Sequence, residues 1–235
     1  GGSATVNFHG GEIDLLGATV FQGTSNVGFS SSGDLKLRGE PGGNGATTLQ
    51  GSLTASGNIS LAAARIYPLT DTVFAIDALR APGGSSTVTI GQTGANPGTP
   101  WSAGGALSIT ADTIASTGTL YAPFGTISLD GGTRLTLGNG SLTSVSGGDL
   151  TIPYGQTLLG GQQWVYQTPN GPQSIAGVPS RLVSLQAPAI TIAKQATVDL
   201  TGGGDLSAFE WVPASAGTLD NLTSDATDPG YTPGL

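Results

Sequence analysis

From Gly104 to Pro153 the chain repeats one short phrase, GGALSITADTIASTGTLYAPFGTISLDGGTRLTLGNGSLTSVSGGDLTIP, which suits stacked strands and little else. Apolar residues stand two apart in Leu107/Ile109, Ile127/Leu129, Leu135/Leu137 and Leu150/Ile152, alternating with Ser and Thr. A period of two belongs to a strand with one buried face, and the Gly-, Ser-, Asn- and Asp-rich breaks supply turn conformations. Leu107 and Ile127 are twenty residues apart, and Ile127 and Leu150 twenty-three. That spacing predicts one coil of a solenoid, in which each coil buries its apolar face by stacking on its neighbours. Parallel coils rise about 4.8 Å each, so at roughly 20–25 residues per coil the chain predicts about ten coils and a rod of about 50 Å.

Composition supports an all-β chain. Charged residues are 9%, far below the roughly 25% of an ordinary soluble domain. Exposed helix faces use Glu, Lys, Arg and Ala; here Ser, Thr, Gly and Asn take that role, so helix content is expected to be small. The 40 Gly and 14 Pro approach low complexity, yet 37% of residues are hydrophobic and spread in packets, which argues against disorder. Net charge is −8, and the basic residues (Lys36, Arg38, Arg65, Arg80, Arg134, Arg181, Lys194) are dispersed. With no cationic stripe to neutralise phosphates, nucleic acid is not an expected partner. The absence of Cys removes disulfides and thiolate metal sites. No apolar run approaches the ~18 residues of a membrane span, and no signal peptide is expected within these residues. The chain contains no Met, and its opening GGSATVNFHGG reads as mid-repeat, as in a processed product or a segment of something longer.

Residues 1–60 offer short strand candidates at Thr5–Phe8, Glu12–Leu16, Thr19–Phe21, Val27–Phe29, Asp34–Arg38, Thr47–Gln50 and Asn58–Leu61. Two overlays extend the repeat. SLTASGNISLAAARIYP from Ser52 lies over SLTSVSGGDLTIP from Ser141, and APFGTISLDGGTRLTLGNG from Ala122 over APAITIAKQATVDLTGG from Ala187. The expected organisation is a β-helix segment over residues 1–206, with loop excursions near 81–105 and 154–181. An irregular tail is expected over 207–235, and Asp205, Glu210, Asp220, Asp225 and Asp228 make the last 31 residues acidic. A solubilising tail is the favoured reading of that charge, and a cation site the competing one.

Candidate chemistry is sparse. His9 is the only His, and no partner for it can be named. Asp112, Asp130 and Asp149 recur near turns at spacings of eighteen and nineteen, so a stacked carboxylate ladder would offer oxygen ligands to Ca²⁺ or acid–base pairs for glycoside chemistry. The favoured alternative is that each Asp satisfies local backbone N–H groups. GGNGATTLQ (residues 42–50) approximates a calcium-binding nonapeptide, but Thr47 replaces its essential Asp. Gly202–Asp205 lacks the strand-to-helix context of a phosphate loop, and the Thr-x-Thr at Thr87–Thr89 does not recur. No catalytic residue, metal ligand or cofactor is assigned. Trp101, Trp164 and Trp211 are the candidate ligand-contact aromatics, with a plug in the fold as the competing role of each.

AAARIYPLTDTVFAI (62–76), GGALSITADTIASTGTLYAPFGTISLDGGTRLTLG (104–138) and TVDLTGGGDLSAFEWVP (197–213) resemble filamentous-haemagglutinin-type bacterial exoproteins. More narrowly, they resemble large exoproteins whose C-terminal portion carries "AAQIYP…FTI" and "GGGDLYAYEFVP" repeats. The block around Gly202–Pro213 is the most specific part. The resemblance implies a right-handed parallel β-helix, two-partner secretion across an outer membrane, and display at the cell surface as an adhesin-like fibre. It transfers no catalytic residues, and because the family's N-terminal secretion domain is not expected within these residues, the export route is implied by analogy alone. The expected function is therefore a non-enzymatic structural or adhesive segment of a secreted, surface-displayed filamentous exoprotein. Its expected partners are neighbouring coils of a longer chain or identical subunits, together with surface glycans or proteins. Two alternatives stand beside it: a fibre subunit stacking end to end through its terminal coils, and a polysaccharide-binding or -degrading β-helix using the three Asp.

Overall fold

Three sets of parallel strands make up most of the computed structural model, which describes residues 3–42, 47–79, 84–158 and 161–210. The first face stacks Ala4–Gly10, Thr24–Ser31, Asn58–Ala63, Thr87–Gln92, the trailing halves of Ala106–Ser116 and Thr126–Leu137, and Ala189–Ile192. The second stacks Ile13–Leu16, Asp34–Arg38, Arg65–Pro68, Thr119–Tyr121, Leu142–Ser144 and Thr197–Asp199. The third stacks Ala18–Phe21, Leu49–Ala55, Thr72–Ala78, the leading halves of Ala106–Ser116 and Thr126–Leu137, and Leu182–Gln186. The chain visits the faces in that order and then starts again one layer on. No helix occurs among the described residues, in keeping with the shortage of helix-favouring surface residues.

Alternation becomes burial. The inward column of the first face runs Phe29, Leu61, Ile90, Ser116, Leu137, and that of the third runs Leu53, Ile76, Ile109, Leu129. Nearly all are fully buried. Size is compensated between layers: Gly51 is paired with Phe74, and a Cβ on Gly51 would fall 2.5 Å from the Phe74 ring. The dispersed basic residues of the second face meet acids of the adjacent layer, in the pairs Lys36–Glu12, Arg38–Asp14 and Arg65–Asp34.

Several expectations change in detail. Leu107 does stack on Ile127, but the next partner of Ile127 is Val183, fifty-six residues on, and not Leu150. Leu150 and Ile152 belong to a separate apolar cluster with Ala103, Phe124 and Tyr154. The first face, the tallest, holds seven strands among the described residues, about 30 Å at ~4.8 Å per layer, and not ten. Both overlays are out of phase. Leu53 lies on the third face and Leu142 on the second, while Ile190 stacks on Leu135 and not on Ile127. All faces use the same alternation, so similarity between two segments does not say that they share a face.

The excursions also shift. Thr87–Gln92 is a full member of the first face, so among the described residues the excursion expected near 81–105 begins after Gln92; residues 81–83 lie outside the described residues. Residues 93–105 come where a second-face strand is due in chain order, but Thr119–Tyr121 pairs directly with Arg65–Pro68 and the loop lies beside that face: the Gln92 side-chain amide donates to the Ala64 carbonyl, Asn96 to the Tyr121 hydroxyl, and Arg65 to the Gly98 carbonyl. The other excursion starts earlier and is ordered. Gly148–Leu158, Gln163–Thr168 and Gly171–Ser174 form an antiparallel sheet, to which Gly203–Glu210 adds in parallel. Residues 207–210, expected to be irregular, are the end of that last strand; residues 211–235, with Trp211, lie outside the described residues. Gly203 and Gly204 take φ of +91° and +70°, and a Cβ on Gly204 would fall 2.9 Å from backbone atoms of Gly147, which explains the Gly-rich start.

Candidate functional site

The antiparallel insertion leaves the stack after Ser144 and folds back along its side. Its anchor is Tyr154, a buried residue whose hydroxyl donates to the Asp71 carboxylate at 3.1 Å. Asp71 sits in the turn between Arg65–Pro68 and Thr72–Ala78 with φ of +55°, a conformation that Asp and Asn adopt more readily than other residues with a Cβ. Its second oxygen is enclosed and has no protein partner. Burial pushes the Asp71 carboxyl above the usual range, with the Tyr154 hydrogen bond acting in the opposite direction. Burial, and then the Asp71 charge, raise the phenols of Tyr154 and Tyr166.

Around this anchor the aromatic rings are ordered. Tyr166 stacks on Tyr154 at 5.8 Å between centroids, and Trp164 meets Tyr154 edge-on at 5.6 Å. The Trp164 indole N–H donates to the Tyr154 carbonyl at 2.7 Å. Tyr166 forms one wall of a cleft of about 460 Å³, together with Pro169 at the hairpin turn. The opposite wall is Glu40, Pro41 and Leu49, where the short strand Glu40–Pro41 runs antiparallel to Leu49–Ala55. Leu69, Thr70 and Arg38 complete the lining. The Arg38 guanidinium is held by Asp14 at 2.9 Å, and Asn170 at the hairpin turn reaches the Gly42 carbonyl. The cleft therefore lies between two protrusions of the stack and mixes an aromatic wall, apolar contacts, one cation, one anion and a hydroxyl.

The residues singled out by sequence are mostly elsewhere. Trp164 braces Tyr154 and acts as a plug in the fold, two residues from the tyrosine that lines the cleft. Trp101 is 66% exposed in the 93–105 loop, and Trp211 lies outside the described residues. The three Asp do not form a ladder. Asp112 accepts from the Ser86 N–H at 2.8 Å, Asp130 pairs in register with Thr110 and Gln186, and Asp149 belongs to the insertion. The local backbone role favoured for these residues is the one Asp112 plays. Among the described residues no three acidic or His side chains gather closely enough to hold a metal ion. His9 is exposed on the first layer opposite Ser30. Thr47 of the degenerate nonapeptide lies just before the Leu49–Ala55 strand, and Thr87 and Thr89 belong to the first face.

Sequence reasoning missed Asp71, Tyr154 and Tyr166. The available signal was the cluster of aromatics between Tyr154 and Tyr166 in a chain that is otherwise 6% aromatic. Set against known proteins, the chain matches no family model, and neither a curated protein nor a solved structure matches it.

Proposed function

We propose that this chain is a non-enzymatic, adhesive stretch of a secreted, surface-displayed bacterial filamentous exoprotein, built as a right-handed parallel β-helix. The observation that carries the reading is the in-register stacking of three parallel faces around one apolar column, with an ordered insertion standing off its side. The right hand follows from the strong chiral preference of connections between parallel strands. The similarity of residues 62–76, 104–138 and 197–213 to filamentous-haemagglutinin-type exoproteins supplies the surface and secretion parts of the reading. In this arrangement the stack is the scaffold and the cleft between its two protrusions is the contact surface.

The test is attachment. Beads coated with the purified chain should adhere to bacterial or host cells, and the soluble chain should compete. Beads that adhere no better than albumin-coated ones would overturn the reading.

A second reading, end-to-end stacking, has its own support. In the last layer the inward-facing Ile190 and Ile192 are 44% and 52% exposed, whereas their partners Leu135 and Leu137 are buried. Among the described residues no strand pairs beyond Ala189–Ile192, and an unpaired edge over an open apolar column favours addition of a further layer. Sedimentation velocity should show association that rises with concentration and disappears in Ile190→Lys/Ile192→Lys. A monomer at all concentrations would refute it.

A further inference from the structure

We infer that the cleft beside Tyr166 binds an uncharged saccharide, with one sugar ring stacked on the tyrosine; this rests on the reading of the cleft as the contact surface. The stacking platform is built in advance. Tyr166 is backed by Tyr154, which is itself fixed by Asp71 and by the Trp164 indole, so the ring holds its place without a ligand. A sugar presents an apolar C–H face and a rim of hydroxyls. Tyr166, Pro169 and Leu49 suit the face, while Arg38 and Glu40 offer the donors and the acceptors that the rim requires. The volume of about 460 Å³ falls within the range of small-ligand sites, roughly 300–1,000 Å³.

Charge selects the class. The Arg38 charge is already balanced by Asp14, whereas Glu40 has no ion-pair partner among the described residues. Asp71 stands behind the aromatic wall, and the whole chain carries −8. An acidic polysaccharide is repelled from such a site. A lipid or purely apolar ligand would cover the Glu40 carboxylate without offering it a donor, which disfavours it.

The experiment uses the whole chain and four neutral tetrasaccharides: maltotetraose, cellotetraose, chitotetraose and mannotetraose. Binding is followed by tyrosine-ring NMR shifts and by calorimetry. At least one sugar is expected to bind saturably below about 10 mM and to move the Tyr166 ring signals. Tyr166→Ala should weaken it at least tenfold, and Tyr166→Phe should leave it within threefold. Glu40→Ala, at an exposed residue whose loss does not disturb the fold, should weaken it about fivefold. The inference is overturned if no tetrasaccharide binds, if tetragalacturonate binds as well as the neutral sugars, or if Trp101→Ala and not Tyr166→Ala removes binding. Bead adhesion that persists in Tyr166→Ala and Glu40→Ala would overturn the saccharide site while leaving the adhesive reading standing.

Discussion

Replacing Arg65 by methionine should produce one of the largest single losses of stability available on the surface of the stack. The guanidinium meets Asp34 through two bonds, Nε to Oδ1 at 2.8 Å and Nη2 to Oδ2 at 2.9 Å, and donates from Nη1 to the Gly98 carbonyl at 2.7 Å. It also lies over the Tyr67 ring at 5.4 Å. The side chains of Arg65 and Asp34 are only 16% and 12% exposed. Removing one member of a buried pair strands the other and typically destabilises by 3–5 kcal/mol; Asp34 keeps the Tyr67 hydroxyl at 2.9 Å, so the expected loss is about 3 kcal/mol. For a chain of this length that corresponds to a fall in melting temperature of roughly 6–12 °C. Because Arg65 also ties down Gly98, amides of the 93–100 loop should exchange faster with deuterium. The assay is thermal and urea unfolding followed by both circular dichroism and fluorescence, with coincident transitions as the check on cooperativity. Asp34→Asn alone and the double variant complete the cycle, which should return a coupling of about 2 kcal/mol. A loss below about 1 kcal/mol, or strict additivity, would show that the pair behaves as an ordinary surface ion pair and refute the reasoning.

Other perturbations read different parts of the molecule. Leu61→Ala, fully buried between Phe29 and Ile90, should lower stability by about 3 kcal/mol, whereas Ile192→Ala in the open last layer should lower it by less than about 1 kcal/mol; equal losses in urea titrations would contradict the layered burial. Since the Asp71 carboxyl is raised in the folded state, its burden on stability is absent at low pH and complete above the raised value. Asp71→Asn keeps an acceptor for Tyr154 and should therefore be more stable than wild type near pH 7, with the advantage vanishing near pH 4; a difference independent of pH would refute this. Gly204→Ala places a methyl against Gly147 at a left-handed position and should lower stability by roughly 1–2 kcal/mol, with faster exchange confined to the Gly203–Glu210 strand.

How much of this was legible in the sequence follows from what alternation encodes. It marks which side of a strand is buried, and Leu107, Ile109, Ile127, Leu129, Leu135 and Leu137 are all inside. It does not mark the face, because every face packs small β-branched and Leu residues against the same apolar column. The Ala122/Ala187 overlay matched inward pairs on different faces for that reason, and the Ser52/Ser141 overlay set the inward Leu53 against Leu142, whose neighbour Thr143 is the residue that stacks on buried Leu120. Layer height was overestimated because the interval between stacked residues varies from twenty, at Leu107 to Ile127, to fifty-six, at Ile127 to Val183. The cleft was hidden for another cause. Asp71 and Tyr154 are 83 residues apart and meet only after the insertion has folded back across several layers. Tryptophan drew attention as the most conspicuous aromatic, yet both rings are half-buried, and it is the Trp164 bond to the Tyr154 carbonyl that makes it a support while Tyr166 lines the cleft.

The unequal intervals bear on how such a chain tolerates change. Val183 finds Ile127 at a separation of fifty-six nearly as readily as Ile127 finds Leu107 at twenty, because pairing is decided at the strands and the intervening length enters only through a slowly growing closure entropy, about 0.6 kcal/mol per doubling. The excursion beginning at Gly148 thus behaves as a cassette between two fixed docking points. Cassettes of different length and wall chemistry can be exchanged there while the layers above and below keep their register, so the cleft wall can change without redesign of the column that carries it.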